Sequence, residues 1–433
     1  MSIYRRLRTF LLFIYPICSM TEAGTSADFS HIQNSFMCEQ IKKDLNLAPE
    51  VLTNTLKIKI TTDEIIKRNR AVIRKIILNE SDKSLLQVEI ISLANSLAAF
   101  RVTESFNGRP QLFTQFDRNC SPLGTRQLIY NEDGVVKRLE NSVTGMSVDL
   151  NPPLPIGAPS NNNLVRVAHI DSGVDYTNSG LAKGLAYDRD GILIGYDFWD
   201  NDPFPFDSDT AGSPFFPRQH GSYVLDILLS TGAPVAVMPF RYPRKEMTRM
   251  SEVVKIAALQ GARIVMIPMG SRKKEDWTTL ERAARDHPEI IFLFSAGNDN
   301  VNLDDVQIYP ASLSAPNFLT VTSVLPDGKS APGVNIGHVV QMGVVGENLP
   351  LKFAVGPKPT VSGTSFSLPK MAGFLACLIA DDLTNTPSAI LNKAFGLAHP
   401  SKRPEEFHYF LPDAVIAKHC QKREWRGSTI HKN

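Results

Sequence analysis

Five apolar runs of strand length, at residues 164–170, 235–240, 262–268, 290–295 and 318–325, recur beyond residue 160 of the chain. Helical patterns at 221–229, 251–260 and 275–286 fall between several of them. A strand that is apolar on both faces needs cover on both, and alternating helices supply it. Such a chain folds into an α/β domain: a doubly wound, mostly parallel sheet flanked by helices. Functional groups in these sheets gather at the carboxyl ends of the strands.

The preceding third has a different texture. At 433 residues and 43% hydrophobic content the chain can hold two or three domains. Residues 1–23 run from Arg5, Arg6 and Arg8 through a short apolar stretch to small polar residues, the pattern of a cleaved export signal. The stretch is shorter than the roughly 20 residues of a spanning helix. Residues 24–150 read as a small α+β N-terminal domain: a strand at 57–60, a charged helix at 63–78, mixed structure at 84–102, strands at 111–116 and 126–130, and a turn at 131–134. The Pro- and Asn-rich residues 151–163 mark a linker, and residues 401–433 a basic, polar tail. Removing Cys18 with the signal leaves four of five cysteines, an even number that permits disulfides in an exported protein. Cys38 with Cys120 is the preferred pair, and Cys377 is expected to be merely buried. The balance of 46 basic and 44 acidic residues gives no basis for binding nucleic acid. Neither a P-loop, a GxGxxG turn nor a paired Cys-x-x-Cys pattern occurs.

Four short elements carry chemistry. Ser362-Gly363-Thr364-Ser365 is a small-residue turn running into an apolar helix, which leaves Ser365 uncrowded beside free helix N–H groups. Ile170-Asp171-Ser172-Gly173 places an acid at a strand end, able to orient an imidazole. His220-Gly221-Ser222 starts a helix with a side chain whose ordinary pKa of about 6.5 suits proton transfer near neutrality. Ser295-Ala296-Gly297-Asn298 ends a buried strand with an amide that can donate to an oxyanion.

In this order, and with these strands and helices between them, the four elements resemble the subtilase family of subtilisin-like serine peptidases from about residue 164 to 379. The resemblance implies a peptidase domain over 164–400 and peptide-bond hydrolysis through an acyl-enzyme. Asp171 is then the orienting acid, His220 the general base and acid, Ser365 the nucleophile and Asn298 the oxyanion donor beside the Ser365 N–H. Pro268, Met269 and Gly270 resemble the strand along the substrate cleft, and Ser295, Ala296 and Gly297 the opposite wall of the primary pocket. Ser222, Leu225, Phe366-Ser367-Leu368 and Val345-Gly346 depart from the family pattern and bear on pocket shape rather than on the reacting groups.

The resemblance implies protein or peptide substrates, no required cofactor and a monomer that is secreted, periplasmic or otherwise extracytoplasmic. Residues 24–150 would be a pro-region or accessory domain. Family members often bind calcium, and residues 197–209 are rich in acids, yet without ordered ligand spacing they read first as a solvated loop. The rival reading is a catalytically silent subtilase-like domain that binds peptides or a protein partner. A nucleotide-binding α/β enzyme fits the sheet and lacks the phosphate loop.

Overall fold

The computed structural model describes residues 34, 37–45, 59–68, 71–79, 83–94, 96–132, 134–141, 144–145, 147–161, 163–210, 213–353 and 360–420. The export signal, Cys18 and the start of the strand expected at 57–60 lie outside them. The chain packs as two compact units, Met1–Gln127 with Glu140–Met146 and Leu128–Leu139 with Ser147–Asn433.

In the first unit, β1 (Lys59–Arg68), β2 (Ala71–Asn79), β3 (Ser84–Leu93), β4 (Ser96–Phe106), β5 (Arg109–Phe116) and the greater part of β6 (Pro122–Tyr130) follow one another. Each pairs antiparallel with the next. The charged helix expected at 63–78 is therefore two strands. Ile65, Ile66, Val72, Ile73, Ile76 and Ile77 are β-branched and stiff at χ1, which fits a pleated surface better than a helix. Ile76 and Leu78 are buried while Ile77 between them is only half-buried, a period of two that the interspersed charges obscure. The mixed structure expected at 84–102 likewise resolves into β3 and β4. A helical stretch at 37–43 contributes Met37, Cys38 and Ile41 to the core with Ile76, Val88, Phe100 and Phe116. The preferred disulfide, Cys38–Cys120, is present.

The second unit carries the parallel sheet. After β7 (Val136–Asn141) and β8 (Ser147–Asp149) come β9 (Val165–Asp171), β10 (Tyr196–Asp197), β11 (Val235–Arg241), β12 (Ile264–Ile267), β13 (Ile291–Ser295), β14 (Phe318–Val324), β15 (Met342–Val345), β16 (Leu349–Pro350), β17 (Thr360–Val361), β18 (His399–Pro400) and β19 (Tyr409–Leu411). The sheet order is β10-β11-β9-β12-β13-β14-β15-β19-β18, parallel except for the last pair. Successive residues of each central strand enter different cores. Val167, Val237, Met266 and Leu293 face one cluster, with α1 (His220–Ser230) and α4 (Thr364–Asp381) packed on it. Ala168, Met238, Val265 and Phe292 face the other, beneath α2 (Met250–Leu259) and α3 (Thr278–Asp286).

Three further points differ from the sequence reading. Residues 409–420 are not a tail: β19 adds to the sheet beside β15, and α6 (Asp413–Cys420) follows α5 (Pro387–Leu397). Cys377 is not merely buried but bonded to Cys420, tying α6 to α4. The stretch 151–163 is irregular yet held in place. The Tyr176 hydroxyl donates to Pro152 O at 2.6 Å, and the Gly157 N–H to Gly191 O at 2.9 Å.

Candidate active site

Parallel strands deliver their last residues to one edge, and β9 ends there with Asp171, in register with Arg241 at the end of β11. The next loops bring in the first turn of α1. Gly221 lies so close that a Cβ there would stand 2.1 Å from Gly173 O, so only glycine lets the helix start this near the strand end. His220, immediately before it, meets Asp171: Nδ1 lies 2.9 Å from both carboxylate oxygens. A carboxylate only accepts, so Nδ1 carries the proton and Nε2 is the basic nitrogen. The Asp171 side chain is 4% exposed and that of His220 35%, which leaves the imidazole reachable and its partner shielded.

The charges are mutually supportive. Burial acts to raise the Asp171 pKa, but the charge and hydrogen bond of His220, then His169 and the Ser172 N–H, hold it below the usual carboxylate value. Burial acts to lower that of His220, and is outweighed by Asp171, with smaller help from Asp207 and Asp209, so the imidazole titrates above its ordinary value.

On the neighbouring helix, Gly363 adopts φ 119°, a conformation side chains disfavour, and turns the chain into α4. Asn298, just beyond β13, packs against this turn. Its Oδ1 accepts the Thr364 N–H at 3.1 Å, while the Gly297 N–H donates to Thr364 Oγ1 at 3.2 Å. The Asn298 amide nitrogen and the first-turn N–H of Ser365 are thus the donors at this end. The Ser365 hydroxyl donates to Pro268 O at 3.2 Å rather than to His220. Phe366, next in the chain, lies with its ring 5.7 Å from that of His220. The structure therefore brings Asp171 onto His220 and Asn298 onto the Ser365 turn, and leaves the Ser365 hydroxyl on Pro268 O.

Of the expected cleft residues, Pro268 supplies the carbonyl just described and Met269 is partly buried against the second core. Gly270 sits where a Cβ would meet Tyr309 O at 2.7 Å. Ser295 is buried at the end of β13, and Ala296 packs into a small apolar cluster with Leu303 and Ile308. Gly297 takes φ 101° and Asp299 accepts from Asn335 Nδ2 at 3.1 Å. Leu225 is fully buried in the core rather than in the cleft.

The acid-rich stretch is not simply a solvated loop, because Asp197 and Asp207 are buried. Asp197 and Asp200 both pair with Arg241, and Asp207 is enclosed by serine donors. Among the described residues no group of three or more His, Cys, Asp or Glu side chains could hold a metal. Two polar residues at the site escape the motif reading. His169 lies two positions before Asp171 on β9, hence on the same face, and burial keeps its imidazole below the ordinary value. Asp207 is buried behind His220, and burial followed by the charge of Asp171 pushes its carboxyl up to about 7. Strand alternation could have exposed the first; nothing local marks the second.

Alkaline protease 1 of Emericella nidulans is 33% identical over 112 residues, 25% of this chain and 27% of that protein. The cuticle-degrading protease of Metarhizium anisopliae is 32% identical over 104 residues, 24% of this chain and 26% of its own. The chain thus spans about a quarter of the length of these curated relatives. Among solved structures, a lanthipeptide protease is 19% identical with a TM-score of 0.49, covering 60% of this chain and 89% of that one. A cold adapted subtilisin-like serine proteinase is 20% identical with a TM-score of 0.47, covering 61% and 95%. The subtilase family model matches residues 162–394, over half of the chain and all four site elements, and the chain belongs to that family.

Proposed function

We propose that this chain is an exported serine endopeptidase that hydrolyses peptide bonds through an acyl-enzyme. The observation that carries the reading is the Asp171–His220 pair, bonded at 2.9 Å with the imidazole's other nitrogen left basic, beside a serine at a helix N-terminus. In this reading Nε2 of His220 takes the Ser365 proton as Oγ leaves Pro268 O and attacks the peptide carbonyl. Asp171 stabilises the imidazolium so formed. The tetrahedral oxyanion is met by the Asn298 amide and the Ser365 N–H, both fixed before reaction. The imidazolium then hands its proton to the leaving amine, and a water repeats the sequence to release the acyl group.

Two disulfides support an oxidising compartment and hence export. No helix among the described residues is long and apolar enough to cross a membrane. Residues 24–150 serve in this reading as a pro-region, released by cleavage in or near 151–163. The test is intact-mass measurement of the exported wild type beside Ser365→Ala. The reading expects a shortened wild-type chain and an uncut variant. Identical processing of both would assign maturation to another protease.

A further inference from the structure

A carboxylate not used in that chemistry closes a ring of hydrogen bonds behind the Asp171–His220 pair. Asp207 is 1% exposed. Its Oδ1 accepts the Ser172 hydroxyl at 2.8 Å, and its Oδ2 accepts both the N–H and the hydroxyl of Ser222 at 2.7 Å. These two serines are the immediate surroundings of the pair. Ser172 follows Asp171, donates its N–H to Asp171 Oδ1 at 2.7 Å and accepts the Gly221 N–H on its Oγ at 3.1 Å. Ser222 shares the first turn of α1 with His220, and its hydroxyl accepts the Asp175 N–H at 2.8 Å. One buried carboxylate therefore fastens the residue after the acid to the helix turn that carries the base.

The next peptide, Gly221 C=O with Ser222 N–H, is held as well. His169 Nε2 lies 3.0 Å from Gly221 O, and because a carbonyl only accepts, Nε2 carries the proton. Its Nδ1 is buried without a partner among the described residues, so the ring bonds to this one carbonyl. Ser172 thus holds the N–H of the His220–Gly221 peptide, while His169 on the C=O and Asp207 on the N–H hold the two ends of the Gly221–Ser222 peptide, so two consecutive peptides after His220 are fastened.

We propose that Asp207 is a positioning residue for His220, acting through Ser172 and Ser222 and touching neither substrate nor the reacting atoms. The proposal rests on the reading of Asp171, His220 and Ser365 as the reacting groups. Among the described residues, the charged and titratable groups around Asp207 and His220 include Asp171 and His169 on β9, Tyr223 on α1, Asp209 on the Asp207 loop and Arg241 on β11, whose guanidinium donates to Ser172 O at 2.9 Å and to Ser208 O at 3.4 Å. The negative charge of Asp207 favours the protonated imidazole.

The test compares Asp207→Ala, Asp207→Asn and Ser222→Ala with wild type, measuring kcat per site titrated with a fluorophosphonate, KM and the pH profile. A misplaced base lowers turnover rather than binding. Asp207→Ala and Ser222→Ala should each lose about tenfold or more in kcat per titrated site with KM within about twofold. Asp207→Asn keeps an oxygen for the Ser222 donors and should retain most of the turnover, with the acid limb of the profile moved to lower pH. If Asp207→Ala does not fold, the other two variants decide. Wild-type kcat per site and an unmoved acid limb in every folded variant would overturn the proposal, even if stability falls. A correctly folded wild type that takes no fluorophosphonate would instead overturn the peptidase reading, and the proposal with it.

Discussion

The two halves of the site differ in how far they are assembled. Asp171 and His220 are joined directly, fixed by a strand end, a helix start and hydrogen bonds to buried neighbours. Ser365 and Asn298 are brought together by the fold, yet the hydroxyl is bonded to Pro268 O. In the proposed reading the acid–base pair is a property of the folded chain, and the nucleophile is aligned only when Ser365 leaves Pro268 O. Such tightening on binding is common among catalytic hydrogen bonds.

That contrast can be broken from either side. Asp171→Asn attacks the assembled half: an amide can donate to Nδ1, leave the wrong imidazole nitrogen protonated and lower kcat by about 10⁴. Turnover assays on folded variant should find it; a fall of less than tenfold would make the pair structural. Asn298→Leu attacks the other half and should lower kcat by about 10²–10³ with KM nearly unchanged, because its amide acts when the oxyanion forms. That size is carried over from subtilisins rather than obtained from this geometry. A loss confined to KM would show the role misassigned.

Smaller effects sharpen the picture. By the family resemblance the small or apolar residues Met269, Gly270, Ala296 and Gly297 would wall the primary pocket, so large apolar side chains before the cut should be preferred by about 10–200-fold over close analogues that fill it less well. A peptide library dominated by acidic residues there would refute this. The smallest expected effect is in the pH profile. His220 must be neutral to act, and its pKa is raised, so kcat/KM should fall on the acid side of a midpoint above about 6.5. A midpoint below that value would mean burial, not Asp171, dominates the imidazole.

The same physics decides what could be read from the sequence. The five central strands were legible because cover on both faces makes their apolar runs continuous, as the fully buried β11 and β14 show. β2 has one wet face and β1 is exposed on both from Asp63 to Lys67, and charges such as Asp63 and Arg74, bonded across the strands at 2.7 Å, imitate a helical charge pattern. Only pairing with β3 reveals the period. At the site, Asp171, His220, Asn298 and Ser365 announce themselves by the turns and helix starts around them. His169 is hidden as one polar residue in an apolar run. Asp207 owes its place to Ser172 and Ser222, distant in sequence, as Cys377 owes its partner to α6. Residues 409–411 are too short a run to stand out from their basic surroundings until the sheet edge takes them up.

The central claim is that Ser365 is a nucleophile activated by a pair already in place. The direct measurement is intact-mass analysis of the folded, exported protein after exposure to a fluorophosphonate, with Ser365→Ala alongside. The account predicts one adduct per chain on the wild type, mapped to Ser365, and none on the variant. A folded wild type that takes no adduct, or one that takes it elsewhere, would contradict it.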